Sequence, residues 1–182
     1  MAKSERAFTL IELLLYVAIF AMVAGFFTSI LLVTLRVQGT QSGVIEVSTQ
    51  LNFAMQAIQR NIREATTIVA PASGASASTL QVSGGPTGAV SVTLGTCGAP
   101  AISNAICITD AGGTNPITTG KITVTTLTFS HYTTPSTLPC PGTPCIPSTE
   151  TIQISVTASN NTTSEEQRIT RTIQGSASPF NQ

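Results

Sequence analysis

Side chains suited to acid–base catalysis are scarce in this chain of 182 residues, which contains one histidine, His131, and one aspartate, Asp110. A Ser-His-Asp hydrolase would need these two residues and a serine to converge, and nothing in their spacing indicates that arrangement. Lys plus Arg number 8 and Asp plus Glu number 8, so the net charge is zero and the basic clusters typical of nucleic-acid binding are missing. We therefore expect no catalytic residue, no cofactor and no nucleic-acid partner.

Four cysteines are the second group of reactive side chains: Cys97, Cys107, Cys140 and Cys145. Four cysteines allow three disulfide connectivities, and an even count fits disulfides if this part of the chain is exported. The local pairs Cys97–Cys107 and Cys140–Cys145 are favoured, because the Pro-Gly-Thr-Pro segment between the last two already turns the chain back. A zinc site is the alternative, but the spacings are not short Cys pairs throughout, and His131 alone does not complete a ligand set.

One carboxylate, Glu12, interrupts an apolar run that begins at Phe8. An ionised carboxylate at membrane depth is costly unless it is paired. Either Glu12 lies near the membrane interface and reaches water, or it has a dedicated cationic partner. A free α-amino group at Phe8 would be a suitable partner.

The element that must position Glu12 is a long apolar segment, residues 13–35, which contains no charged residue. A helix of this length spans about 35 Å, enough to cross a hydrocarbon core of about 30 Å. Lys3 and Arg6 precede the segment and Arg36 follows it, which predicts a cytoplasmic N-terminus and an exported C-terminal part. A cleaved secretory signal peptide fits less well, because the apolar run is too long and residues 34–37 offer no A-x-A cleavage site.

The run Arg-Ala-Phe-Thr-Leu-Ile-Glu-Leu-Leu at residues 6–14 resembles the processing site of type IV prepilins and type II secretion pseudopilins. In that family, prepilin peptidase removes a short basic leader just before a phenylalanine and N-methylates the new terminus. A glutamate at the fifth mature position pairs with the N-terminal amine of a neighbouring subunit during filament assembly. By position, the resemblance implies cleavage between Ala7 and Phe8, methylation of Phe8 and an assembly role for Glu12. Ala7 stands where the family usually has glycine.

The resemblance implies a minor pilin or pseudopilin, a structural subunit of a type IV pilus-like or type II secretion filament. Residues 51–67 and 167–173 are loosely similar to J-type or W-type minor subunits. The implied partners are prepilin peptidase, other pilin or pseudopilin subunits bound through the N-terminal helix, the inner-membrane assembly platform, and membrane lipid before assembly. The protein would first reside in the cytoplasmic membrane with its head exported, and later in a periplasmic or cell-surface filament. The alternative is a membrane-anchored extracytoplasmic binding module or adhesin that does not polymerise.

An apolar stripe indicates that the helix continues outside the membrane. Its members recur at spacings of three and four residues: Val44, Val47, Leu51, Met55, Ile58, Ile62 and Ala65. We expect the stripe to pack against a sheet of the same chain, with a coiled-coil partner helix as the alternative. Gly39, Thr40, Ser42 and Gly43 form a weak patch just outside the membrane segment, which is either a flexible spot or a joint that bends on assembly. Pro71 ends the helical part.

Beyond the helix, short runs rich in β-branched residues predict strands at residues 79–82, 89–94, 106–109, 121–130, 151–157 and 167–173. The last two runs predict an antiparallel hairpin with a long polar loop, and His131, just after a strand, is expected at the surface. The predicted fold class is therefore α+β and pilin-like, with a long N-terminal α-helix packed on a C-terminal antiparallel β-sheet head. The predicted boundaries are a cleaved leader at 1–7, a transmembrane and assembly helix at 8–35, an amphipathic exported half of the helix at 36–70, and a β-rich head at 71–182.

Overall fold

The computed structural model describes residues 10–86, 88–134, 149–162 and 168–180. These residues form one helix, α1 (Leu10–Glu64), and nine strands. The strands are β1 (Thr67–Ala70), β2 (Ser76–Ala77), β3 (Leu80–Gly85), β4 (Gly88–Cys97), β5 (Ile102–Asp110), β6 (Gly113–Pro116), β7 (Ile122–Thr134), β8 (Thr149–Asn160) and β9 (Thr170–Ala177). The chain divides into two compact units, with the boundary between Gln41 and Ser42 inside α1.

The part of α1 in the first unit is an apolar helix whose side chains are almost all exposed. It is long and apolar enough to cross a membrane. Three of its hydroxyl groups donate to carbonyl oxygens of the preceding turn: Thr28 to Ala24 at 2.9 Å, Ser29 to Phe26 at 2.8 Å and Thr34 to Ile30 at 2.9 Å. These polar groups are therefore satisfied within the helix, as a hydrocarbon environment requires.

The second unit contains two antiparallel sheets. The five-stranded sheet has the order β1-β3-β4-β5-β6, and the four-stranded sheet has the order β2-β7-β8-β9. Strands β8 and β9 form the predicted hairpin, with eight consecutive pairs from Ile152 opposite Ala177 to Ser159 opposite Thr170. The head is thus antiparallel, as predicted, and its strands are distributed over two sheets.

The apolar stripe of α1 forms the centre of the core. Apart from the half-buried Val44, every member of the stripe is buried. The buried members share one cluster with residues of both sheets, such as Leu80, Ile106, Phe129 and Ile154. The helix therefore packs on the sheets of its own chain, which is the α+β, pilin-like arrangement that the sequence predicts.

The helix ends at Glu64, earlier than the predicted boundary at residue 70. Residues 67–70 form β1, which pairs antiparallel with β3, and the Thr66 N–H donates to the Ser83 carbonyl at 2.9 Å. Four consecutive β-branched residues, at positions 66–69, favour this extended conformation over a last helical turn.

The weak patch at residues 39–43 is helical in the structure. A Cβ atom at Gly43 would lie 2.7 Å from Asn160 Nδ2 and 3.4 Å from Ile169 Cδ1. Glycine at this position therefore allows the end of the β8–β9 hairpin to approach the helix closely. Bending of the patch during assembly remains a hypothesis.

Candidate functional site

Glu12 lies in the first turn of α1, and its side chain is exposed. The expected cleavage site, Ala7 and Phe8, lies outside the described residues, as does the basic leader.

The surface around Glu12 is apolar on every side of the helix. Its large exposed side chains include Leu10, Ile11, Leu13, Leu14, Tyr16, Phe20, Phe26, Phe27 and Leu31. An exposed apolar surface of this extent requires lipid or other apolar helices around it. Glu12 is the only charged residue between positions 10 and 35, so a cation paired with it would lie in an apolar environment.

A disulfide joins Cys97, the last residue of β4, to Cys107 in β5, as the spacing of the cysteines predicts. The Cα atoms are 6.1 Å apart, and both side chains are buried with Ala105 in a small cluster of their own. These two sulfurs are therefore not available as thiolate ligands for zinc. The predicted Cys140–Cys145 pair lies outside the described residues and remains a prediction.

The expectation that His131 lies at the surface is wrong, since its side chain is only 4% exposed. Strand β7 continues to Thr134, four residues beyond the predicted end, so His131 lies inside the strand on the buried side of the sheet. Its Nδ1 atom is 2.9 Å from the Pro71 carbonyl oxygen, and its Nε2 atom is 3.8 Å from Glu150 Oε2. Asp110 Oδ1 accepts a hydrogen bond from the Gly112 N–H in the turn after β5, which is a turn-stabilising contact.

Two open grooves flank the exposed side of α1 near its C-terminal end. Both are lined by Gln56, Arg60 and Glu64, and they are completed by Phe180 and Phe53 respectively. Arg60 Nε is 2.7 Å from Glu64 Oε1, and this hydrogen bond raises the pKa of the Arg60 guanidinium. The pair is largely exposed, and such pairs contribute little to stability because water and salt screen them.

The outward side of the four-stranded sheet is lined by hydroxyl and amide side chains. Alternate residues of β7, β8 and β9 point away from the core, and almost all of them are Ser, Thr or Gln. The sequence signal for this arrangement is the alternation of hydroxyl residues with Val, Ile and Phe in β7 and β8. Tyr132 is the aromatic residue on this side, and 54% of its surface is exposed.

Comparison with known proteins gives one match. The family described as the prokaryotic N-terminal methylation motif matches residues 2–28, which include the resemblance at residues 6–14 and most of the apolar segment. No curated protein and no solved structure matches the chain. The loose similarity to J-type or W-type subunits concerns residues outside 2–28 and gains no support from this match. The motif implies processing by prepilin peptidase, and the proteins that carry it are structural rather than enzymatic.

Proposed function

We propose that this chain, which carries the N-terminal motif of type IV prepilins and pseudopilins, is a minor structural subunit of a type IV pilus-like or type II secretion filament. The observation that carries the proposal is the coincidence of the methylation motif with an exposed apolar helix whose first turn bears a single carboxylate, Glu12. The loose similarity at residues 51–67 and 167–173 favours a J-type or W-type subunit over a major one.

In this proposal, prepilin peptidase cleaves between Ala7 and Phe8 and removes the leader of residues 1–7. The removal of seven residues from 182 leaves a mature chain of 175 residues that begins with N-methylated Phe8. Cleavage matters physically because it creates an α-amino group four residues before Glu12. That amine is the cation that an apolar site with one carboxylate requires.

Assembly then follows from the exposed apolar surface of α1. Before assembly, lipid covers this surface in the cytoplasmic membrane, with the assembly platform nearby; in a filament, the helices of other pilin or pseudopilin subunits replace the lipid. A lone carboxylate and a lone ammonium would both be unpaired between packed apolar helices. Pairing of Glu12 with the Phe8 amine of a neighbouring subunit avoids both penalties, a difference of about 3–5 kcal/mol relative to an unpaired buried charge. The pair also defines the axial register, because it forms only when one subunit has risen far enough beside the next.

The orientation of the protein follows from its charges and its disulfide. Lys3 and Arg6 keep the N-terminus in the cytoplasm, and the β-rich head is exported. The Cys97–Cys107 disulfide supports this orientation, because disulfides persist in oxidising compartments. The boundaries proposed for the mature protein are a membrane and assembly helix from residue 8 to 35, followed by the exported part of α1 and the head.

The test compares Glu12→Gln with the wild type in a strain that assembles filaments. The amide keeps the shape of the side chain and removes its charge, so we expect normal membrane insertion and cleavage but at least about tenfold less subunit in sheared filaments, a loss of about 1.4 kcal/mol or more. Glu46→Gln is the matched control, because Glu46 lies in the same helix and its Oε1 accepts a hydrogen bond from Gln50 Nε2 at 2.8 Å. We expect that control to assemble normally.

Equal incorporation of Glu12→Gln and the wild type would contradict the assembly role. Absence of both the wild type and the variant from sheared filaments would favour the alternative, a membrane-anchored binding module or adhesin that does not polymerise. For such a module, a carboxylate at position 12 offers no advantage.

A further inference from the structure

The outward side of the four-stranded sheet, named the neutral face here, consists of eleven residues from three strands. They are Thr126, Thr128, Ser130 and Tyr132 of β7, Thr151, Gln153, Ser155 and Thr157 of β8, and Thr172, Gln174 and Ser176 of β9. Their neighbours in sequence, such as Phe129, Ile152 and Ile154, are fully buried on the opposite side. The neutral face is therefore the solvent side of a sheet whose other side is the core.

The composition of the neutral face is unusual for a protein surface. None of its eleven residues is charged, although Asp, Glu, Lys and Arg make up about 25–35% of a typical surface. All eleven carry a side-chain hydroxyl or amide as their only polar group, and Tyr132 adds an aromatic ring. Hydroxyl groups both donate and accept hydrogen bonds, and an amide provides one of each kind of group.

The register of the strands arranges these side chains in rows. Ser130 lies opposite Gln153 and Gln153 opposite Ser176, and the next row contains Thr128, Ser155 and Gln174. Neighbouring strands are about 4.8 Å apart, and residues two apart along a strand are separated by about 6.8 Å. In a further row, Thr157 Oγ1 lies 2.9 Å from Thr172 Oγ1 of the adjacent strand, and this contact orients both side chains.

An open groove of about 420 Å³ lies at the Tyr132 end of the neutral face. Its lining includes Tyr132, Thr151, Gln153, Gln174 and Ser176. The exposed aromatic ring therefore stands beside two amide side chains and two hydroxyl groups. This combination provides a stacking surface and directional hydrogen bonds in the same groove.

The charge and polarity of this surface decide between classes of ligand. A nucleic acid or an acidic peptide gains its affinity from positive charges, which the neutral face lacks. An apolar partner would need a contiguous apolar patch, which the Ser, Thr and Gln residues do not form. A neutral polysaccharide matches both properties, because its hydroxyl groups donate and accept hydrogen bonds and the C–H side of a sugar ring can stack on an aromatic ring.

We propose that the neutral face binds a neutral polysaccharide, with a sugar ring stacked on Tyr132 and hydrogen bonds from Gln153 and Gln174. The polymer runs along the rows of hydroxyl residues. This binding is independent of filament assembly, because the neutral face lies in the head and involves neither Glu12 nor the methylation motif.

The first experiment uses the full-length protein in a detergent without a sugar headgroup. The chain has no tryptophan and two tyrosines, Tyr16 and Tyr132, so a Tyr16→Phe variant emits tyrosine fluorescence from Tyr132 alone. The probes are neutral hexasaccharides of β-1,4-glucose, α-1,4-glucose and β-1,4-N-acetylglucosamine. We expect at least one probe to change the emission with a saturable isotherm whose Kd does not depend on salt, since no ion pair forms.

The second experiment measures the same binding by calorimetry in three variants. Tyr132→Ala should weaken binding about tenfold, equivalent to about 1.4 kcal/mol, while Tyr132→Phe should retain most of the affinity because it keeps the ring. Phe180→Ala is the matched control, since Phe180 is an aromatic residue that is 79% exposed and lines a different groove with Arg60. It should bind as the wild type does.

Three results would overturn the proposal. The first is that none of the hexasaccharides binds. The second is that Tyr132→Ala binds as tightly as the wild type, or that Phe180→Ala loses as much affinity as Tyr132→Ala. The third is that an acidic hexasaccharide such as oligogalacturonate binds more tightly than the neutral probes and loses affinity as salt is added.

Discussion

His131 uses its side chain and its backbone to hold the segment that begins at Pro71. Nδ1 lies 2.9 Å from the Pro71 carbonyl oxygen, the His131 carbonyl accepts from the Gly74 N–H at 2.8 Å, and the His131 N–H donates to the Ala75 carbonyl at 3.0 Å. Because a carbonyl oxygen only accepts, Nδ1 carries the hydrogen in this contact. The sole histidine therefore has a structural role that fixes the connection from β1 to β2 against β7.

We predict that His131→Ala destabilises the head by about 1–3 kcal/mol, because the substitution leaves the Pro71 carbonyl oxygen without its donor in a buried position. His131→Asn should restore much of the loss, since its amide can donate from nearly the same place. Thermal unfolding followed by circular dichroism measures both effects. Tyr132→Ala, at the adjacent exposed position, is the control and should leave the midpoint nearly unchanged; an equal midpoint for His131→Ala and the wild type would contradict the structural role.

The helix and its buried face could be predicted because a period of 3.6 residues is a strong local signal, and every residue of the stripe except Val44 proved to be buried. The buried position of His131 could not be predicted. The strand continues beyond it with Tyr132, Thr133 and Thr134, which have polar groups on both faces and show no alternation of polar and apolar residues. Short strands such as β2 and β6 exist only through their pairing with β7 and β5. The division of the strands into two sheets likewise depends on contacts between distant residues, which no local pattern encodes.

At position 43, replacing glycine by alanine should lower the stability of the protein, although this substitution usually raises it inside a helix. Glycine to alanine in a helix interior normally stabilises by about 1 kcal/mol. Here the added Cβ would lie 2.7 Å from Asn160 Nδ2, and the Asn160 side chain is held by a 2.7 Å bond from the Ile169 N–H to its Oδ1. We therefore predict that Gly43→Ala lowers the thermal unfolding midpoint.

The control for this substitution is Ser42→Ala, at the preceding, exposed position of the same helix. We expect it to leave the midpoint unchanged or raise it, because alanine has the higher helix propensity. A higher midpoint for Gly43→Ala would show that the close approach to Asn160 does not explain the glycine.

Trypsin digestion without reduction tests both predicted disulfides at once. Cleavage after Arg63, Lys121 and Arg168 places Cys97 and Cys107 in one peptide, residues 64–121, and places Cys140 and Cys145 in the next, residues 122–168. Local pairing predicts two separate peptides. Each should be lighter than its fully reduced form by the mass of two thiol hydrogens. A covalently linked pair of these peptides, or a free thiol in either of them, would contradict the pairing.

Loss of the Cys97–Cys107 disulfide between β4 and β5 should reduce stability without abolishing the fold. Cys97→Ser combined with Cys107→Ser removes a cross-link with a sequence separation of 10, so we expect the free energy of unfolding to fall by about 2–3 kcal/mol. Urea unfolding of the two proteins measures the difference. Because the small cluster around this disulfide is separate from the main core, the core should remain folded in the variant. Complete unfolding of the variant in the absence of urea would contradict this prediction.

Processing at Ala7 and pairing of Glu12 should act in one sequence of events. Ala7→Gly should preserve cleavage, whereas Ala7→Leu, with a bulky side chain next to the scissile bond, should block it and leave the leader attached. Mass spectrometry of the purified protein measures both outcomes.

A chain that is not cleaved has no free amine at Phe8, so Glu12 has no cation to pair with. Its incorporation into filaments should therefore fall as it does for Glu12→Gln. The combination of Ala7→Leu and Glu12→Gln should then be no worse than either change alone, because each removes the same ion pair. A combined variant whose loss equals the sum of the two separate losses, in free-energy terms, would show that the leader and the carboxylate affect assembly through different interactions.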